Sequence, residues 1–214
     1  MYQVDREPVA LLLVKDRIYG DIKITDPVAV ELLATPTLQR LACIQQMGVY
    51  EKALPQLNTS RLEHSIGVYH LLVRFGASRE EQIAGLLHDV SHATFSHVID
   101  YLFRSHLAQD FQDMAYEQFL ISSGIANILQ KHDMDLDKVS DHASFYLLDR
   151  PLPQICADRL DYGLRDGVTC DVINPEDVEM ILNSLTVDNE YWVFDEPTIA
   201  IYFFEKNIFM ARNW

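Results

Sequence analysis

The chain lacks the hallmarks of a disulfide scaffold, a membrane protein and a nucleic-acid clamp. Its three cysteines, Cys43, Cys156 and Cys170, form no CxxC pair and leave one over in any pairing. That fits buried thiols in a reducing compartment better than a covalent framework. The apolar run nearest the start, Val9 to Val14, is too short for a signal-peptide core or a membrane span, so a cytoplasmic setting with no membrane is expected. Bases are scarce: 17 Lys and Arg stand against 32 Asp and Glu, a formal net charge of -15. Phosphate backbones are held by clustered Lys and Arg, so this balance argues against a nucleic-acid polymer as partner. A small anionic ligand remains compatible, because a bound divalent cation inverts the local field and a few placed arginines complete the neutralisation. Part of the acid excess is solvated surface. No linker, repeat or low-complexity tract interrupts the 214 residues, of which 49% are hydrophobic. One domain over 1–214 is expected, with its core at about 27–184.

The middle of the chain reads at helical period. Ala10 to Val14 and Ile18 to Ile24 alternate around Lys15-Asp16-Arg17, which predicts an N-terminal strand or hairpin. Pro27 to Leu33 and Thr37 to Met47 read as helices. Ser60-Arg61-Leu62-Glu63 is a capping box that opens a helix with His64 in its first turn. A second box, Ser78-Arg79-Glu80-Glu81, opens a helix whose core positions are Ile83, Leu86, Leu87 and Val90, with His88 and Asp89 on its C-terminal half. Later helices are expected at about Asp110 to Ser122, Ile125 to Gln130, Ser140 to Leu148, Ile155 to Arg165 and Pro175 to Ser184. Leu185 to Phe194 reads as a hairpin around Asp188-Asn189, and Pro197 opens a last helix. That helix runs to Trp214 without a Gly or Asn cap, so it either stops short or packs on another subunit, and a homodimer is the expectation.

Gly85-Leu86-Leu87-His88-Asp89-Val90-Ser91-His92 is an apolar helical run with no structural need for three ionisable groups. With His64 and Asp158, His88 and Asp89 offer two imidazoles and two carboxylates. Such a set suits one borderline divalent cation and leaves positions open for water and substrate. Adjacent helical residues diverge by about 100°, so His88 and Asp89 flank a cation beside their helix while His64 and Asp158 close the set from two others. Taken singly, each His is equally a satisfied core or surface residue with an Asp to orient it. The metal stays open among Mn, Fe, Ni, Zn, Co and Mg. Hydrolysis of a phosphate ester or anhydride is the natural chemistry of such a site. His92, four residues after His88, is a candidate proton donor or acceptor, with Asp100 to orient it. Asp158, Tyr162 and Asp166 fall at i, i+4 and i+8, one stripe of one helix.

Three ordered segments carry a resemblance. They are Arg61-Leu62-Glu63-His64-Ser65-Ile66-Gly67-Val68, Leu87-His88-Asp89-Val90-Ser91-His92-Ala93-Thr94-Phe95-Ser96-His97 and Ala157-Asp158-Arg159-Leu160-Asp161-Tyr162-Gly163-Leu164-Arg165-Asp166. Together they resemble the signatures of the HD-domain phosphohydrolases, most of all the deoxynucleoside-triphosphate triphosphohydrolase branch that contains the SAM-and-HD-domain protein. The resemblance implies a mostly α HD-domain fold with short β-hairpins near both ends, and the metal set His64, His88, Asp89 and Asp158. It further implies His92 and Asp100 as the acid-base pair, His97 in the phosphate site and Arg61 as a phosphate-binding residue, whose plainer reading is a helix-start Arg paired with Glu63. Tyr162 and Asp166 would hold a sugar hydroxyl and Gln46 would lie near the sugar, the bland alternative being a core Tyr and a surface Asp. Lys206 would contact phosphate.

The chain also departs from that pattern. Tyr116 replaces a His before Glu117-Gln118, Ser91 replaces a Gly, and Met210 and Trp214 stand where a His and a Tyr are usual. These changes fall on the nucleotide pocket and spare the metal tetrad. No segment resembles the family's basic allosteric region. The reaction implied is cleavage of a deoxynucleoside triphosphate into nucleoside and tripolyphosphate. The alternatives are a nucleoside-monophosphate or other small phosphoester phosphatase and a non-catalytic nucleotide-binding regulatory subunit.

Overall fold

The computed structural model describes residues 11–48, 54–94 and 111–213. The chain enters as an antiparallel hairpin, β1 (Leu12–Asp16) on β2 (Gly20–Ile24), with Leu12 opposite Ile24 and Asp16 opposite Gly20. The Asp16 carboxylate folds the turn by accepting from the amides of Ile18 and Tyr19 at 2.7 and 3.0 Å. Alternation then sends Ile22 and Ile24 into the core. Helix α1 (Pro27–Leu33) starts on Asp26, whose side chain accepts from Val28 N, with Pro at the first helical position.

The expected helix from Thr37 to Met47 is much shorter. A single turn, α2 (Pro36–Gln39), tightens into a 3-10 turn at Arg40–Cys43, and the backbone is extended at Ile44. The cause is a long-range bridge: Arg61 N donates to Ile44 O at 2.8 Å and Gln46 N to Thr59 O at 2.9 Å. These partners pull Gln45 and Gln46 out of helical register and lay them beside the start of the next helix.

That helix, α3 (Arg61–Arg74), has the capping box read from its sequence, with Ser60 and Glu63 each satisfying the other's amide. Helix α4 (Arg79–Leu87) has only half of one. Ser78 accepts from Glu81 N, but the Glu81 carboxylate turns away to accept from Leu147 N and Leu148 N at 2.7 and 3.0 Å. Helices α3 and α4 approach so closely that a Cβ on Gly85 would lie 2.3 Å from Leu72 Cδ1. The α4 helix ends at Leu87, and tight turns carry the chain on: Val90 N bonds Leu87 O and His92 N bonds Asp89 O.

Beyond come α5 (Phe111–Ser122), α6 (Ile125–Lys131) and α7 (Leu136–Ser140). The helix expected from Ser140 to Leu148 is displaced toward the N-terminus, because Asp135 caps α7 and Glu81 claims the amides of Leu147 and Leu148. Helix α8 (Ala157–Thr169) packs across α3. Helix α9 (Pro175–Asn183) leads into β3 (Leu185–Asp188), which pairs with β4 (Tyr191–Phe194) through a turn with positive φ at Asn189 and Glu190. Helix α10 (Pro197–Asn213) follows. The fold is thus mostly helical with a short antiparallel hairpin near either end, as expected. One apolar cluster runs from Ile22 to Phe203, with Leu71, Leu72, Leu86 and Leu87 of α3 and α4 fully buried at its centre. No described helix is long and apolar enough to cross a membrane.

Candidate metal centre

Helices α3 and α8 and the end of α4 converge on one spot. His64, in the first turn of α3, is 1% exposed. Its Nε2 lies 3.2 Å from His88 Nε2 and 2.9 Å from Asp158 Oδ1. His88 Nε2 is 3.7 Å from Asp89 Oδ1 and 3.8 Å from Asp158 Oδ1, and His64, His88 and Asp89 each offer a donor atom within 4.8 Å of the others. The other nitrogen of each ring is already engaged. His88 Nδ1 bonds the Gly85 carbonyl at 2.7 Å, and His64 Nδ1 bonds Asp161 Oδ2 at 2.8 Å. A carbonyl or carboxylate partner fixes the proton on Nδ1 and leaves Nε2 as the donor toward a metal. The donor set therefore fits a divalent cation: two oriented imidazole nitrogens and the Asp89 carboxylate, with the Asp158 carboxylate beside both histidines.

The electrostatics agree with a site built for positive charge. Burial opposes the charged form of His64, but the hydrogen bonds to Asp158 and Asp161 prevail and push it up to about 10. Burial likewise opposes ionisation of Asp89, yet His88, Arg61 and His92 hold its carboxyl well below the usual range. Asp158 is also lowered, against burial, by the hydrogen bond from His64. These acids stay ionised, as ligation requires.

These donors floor a cavity of about 430 Å³ lined also by Gln46, Met47, Arg61, His92, Tyr162 and Asp166. Most candidates from the sequence therefore meet in one place, by routes the sequence did not always indicate. Arg61 does not pair with Glu63. Its Nη1 donates to Asp89 Oδ2 at 2.5 Å, while Glu63 pairs with Arg17. His92 arrives through the tight turn after α4 instead of along a helix face, and its Nε2 lies 3.2 Å from Asp89 Oδ1. That turn is held from α2 and its 3-10 extension by Arg40, which donates to the carbonyls of Val90 and His92. Tyr162 is 36% exposed, so it is not a core tyrosine. Nor is Asp166 a surface acid: burial pushes its carboxyl up to about 6, and its Oδ1 is buried without a hydrogen-bond partner.

Lys206 is not brought to this cavity. It lies over the Tyr202 ring and lines a different depression with Asp171 and Glu205, and its neighbour Asn207 faces inward in its place. His97 and Asp100 fall outside the described residues. A smaller cavity of about 190 Å³ adjoins the first, sharing Met47, Tyr162 and Asp166 and walled by Leu57, Asn207, Met210 and Ala211. It exists because Gly163 lets α10 approach α8: a Cβ there would sit 2.6 Å from Asn207 Oδ1.

Sequence reasoning missed the supports behind His64. Asp161 accepts from Arg165 Nε at 2.7 Å and from Tyr19 OH at 2.8 Å, and Arg165 reaches on to Asp16. A visible signal was Gly67 inside a well-capped helix, since an isolated helical Gly usually has a packing reason. A Cβ on Gly67 would lie 1.9 Å from Asp161 Oδ1. A second cluster, Asp149, Cys156 and Asp158, is no match for the first. The Arg159 guanidinium already contacts Cys156 Sγ and Asp149, and burial pushes the Cys156 thiol up to about 12.

Comparison with known proteins supplies the last observations. Residues 61–163 match the model of the HD domain family. The metal-dependent phosphohydrolase cns2 of Cordyceps militaris is 37% identical over 196 residues, covering 89% of this chain and 56% of that protein. The uncharacterized protein YdhJ of Bacillus subtilis is 42% identical over 191 residues, covering 89% of this chain and 58% of that protein. Similarity to the deoxynucleoside triphosphate triphosphohydrolase SAMHD1 of Homo sapiens is shorter, 31% over 144 residues, 57% of this chain and 23% of that protein. A solved structure of a hypothetical protein from Aquifex aeolicus shares the fold, with a TM-score of 0.75, 25% identity and coverage of 95% of this chain and 59% of that one. The chain thus spans little more than half the length of the first two curated relatives.

Proposed function

The chain belongs to the HD superfamily, and from that premise we propose that it is a metal-dependent phosphohydrolase acting on nucleotides, with a deoxynucleoside triphosphate as the leading substrate. The observation that carries this reading is the convergence of His64, His88, Asp89 and Asp158 on the floor of a cavity that also presents Arg61, His92, Tyr162 and Asp166. A divalent cation held by those four residues would supply Lewis acidity toward a phosphoryl oxygen and toward water.

The remaining residues divide the other tasks. Arg61 donates to Asp89 and lines the cavity, where a guanidinium suits a phosphate. His92 sits beside Asp89 as the group placed to take or give a proton, with Asp100 as its orienting carboxylate in this reading. The unpartnered Asp166 oxygen calls for a donor, and a sugar hydroxyl beside Tyr162 provides one.

One observation favours a second reading. The side cavity is walled largely by Met47, Leu57, Met210 and Ala211, with Asn207, Tyr162 and Asp166 as its polar side chains, which suits a small phosphoester with an apolar leaving group as well as a triphosphate. Chromatography of products from a panel of nucleotides, run with several divalent ions, decides between them. Tripolyphosphate with free nucleoside supports the first reading, inorganic phosphate the second. Tight nucleotide binding that survives His92→Ala, with no turnover before it, would show a regulatory subunit and refute both.

A further inference from the structure

We propose that the turn of the N-terminal hairpin sets the metal affinity of the site, through a buried relay from Asp16 and Tyr19 to Arg165, Asp161 and His64. The inference rests on the metal reading above and adds positioning residues that touch neither metal nor substrate.

Asp161 is the junction. It is completely buried, and its two oxygens receive three donors: His64 Nδ1 and Arg165 Nε on Oδ2, Tyr19 OH on Oδ1. Such a carboxylate has one orientation, and the ring it holds has one as well. The second arm of Arg165 donates to Asp16 Oδ2 at 2.8 Å, and the side chains of Arg165 and Asp16 are 0% and 2% exposed. The other Asp16 oxygen accepts the amides of Ile18 and Tyr19, so the residue that shapes the turn also holds the arginine.

The charge balance separates this arrangement from ordinary fold support. An Arg165–Asp161 pair alone would be neutral, and its guanidinium would compete with His64 for the carboxylate. Sharing the guanidinium with Asp16 leaves one net negative charge on the trio, so Asp161 remains a strong acceptor for the imidazole N–H. A carboxylate on the far nitrogen raises the donor strength of the near one and fixes its direction. Tyr19, placed by the same turn, adds the third donor that keeps Asp161 from rotating. Gly67 leaves the room in which Asp161 sits. The relay joins β1 and β2 to α8 and α3, so a change at the hairpin is felt at His64 Nε2.

The test measures affinity of the full chain for Mn²⁺ and Co²⁺ by chelator competition, with turnover not required. Outer partners of a metal-ligating His typically matter by about 10- to 100-fold. Asp161→Asn is expected to fall in that range, and Tyr19→Phe and Asp16→Asn, one step further out, to weaken binding by about 3- to 10-fold. Co²⁺ absorption bands should shift in all three, reporting altered ligand geometry. Ile22→Val, in the same hairpin but off the relay, should leave affinity and bands unchanged. Wild-type affinity in Tyr19→Phe and Asp16→Asn, or an equal loss in Ile22→Val, overturns the relay while leaving the metal reading standing. No binding by the wild type, or binding untouched by His88→Ala, overturns the metal reading itself. If Asp16→Asn does not fold, Tyr19→Phe decides, because it removes one hydroxyl and no charge.

Discussion

Metal uptake should expel a proton. In the metal-free protein His64 is pushed up to about 10 because Asp158 and Asp161 accept from its two ring nitrogens, against the effect of burial. Imidazole ligates a metal only when neutral, so between pH 7 and about 10 the Nε2 proton must leave as the cation arrives. The rise from 6.5 to about 10 corresponds to about 5 kcal/mol of preference for the protonated ring. A cation must overcome that preference by meeting Asp158 and Asp89 with a higher charge. Apparent affinity should therefore rise about tenfold per pH unit in this window. The sign for stability is opposite. The folded value lies above the unfolded one, so the contribution of His64 to the metal-free protein is complete below 6.5 and is lost as pH rises through about 10. Titration calorimetry at pH 8 in buffers of different protonation enthalpy reads the proton count directly. We expect about one proton released per metal. No release, together with affinity constant from pH 7 to 9, would refute the assignment of His64 as a ligand held protonated by its two acids.

Substitutions at four further positions extend the account. His92→Ala should keep the metal and lose about 10²- to 10⁴-fold in turnover, whereas Lys206→Ala, outside the cavity, should change little; steady-state kinetics with metal analysis reads both. Gly67→Ala forces a Cβ to within 1.9 Å of Asp161 Oδ1, and this overpacking should cost about 1–3 kcal/mol in a denaturant melt. Glu81→Ala leaves the Leu147 and Leu148 amides without their acceptor and should cost about 2–4 kcal/mol. Glu81→Gln keeps the single oxygen that serves both amides and should cost far less, so equal loss in the two variants would contradict the role given to that oxygen.

What the sequence made legible was local. The box at Ser60 and Glu63, the two hairpins and the proline-started helices each declare themselves within a few residues, and the structure contains them. The errors arise where a distant partner overrides a local signal. Glu81 completes a capping-box pattern yet spends its carboxylate on amides 66 and 67 residues away. Ile44 breaks a helical period because Arg61 bonds its carbonyl. His92 read as one helical turn beyond His88 on the same helix, but the helix ends at Leu87 and the turns that follow bring His88, Asp89 and His92 to the cavity. The relay behind His64 was invisible for the same reason, since its Tyr19 and Asp161 lie 142 residues apart. Lys206 was placed by resemblance alone, and the register of α10 turns it away from the cavity.

Anomalous diffraction from crystals grown with Mn²⁺ or Co²⁺ tests the metal centre most directly. The account expects one peak bounded by His64 Nε2, His88 Nε2 and carboxylate oxygens of Asp89 and Asp158, at about 2.0–2.3 Å from each. A peak elsewhere, or none at metal concentrations that saturate binding in solution, would contradict it.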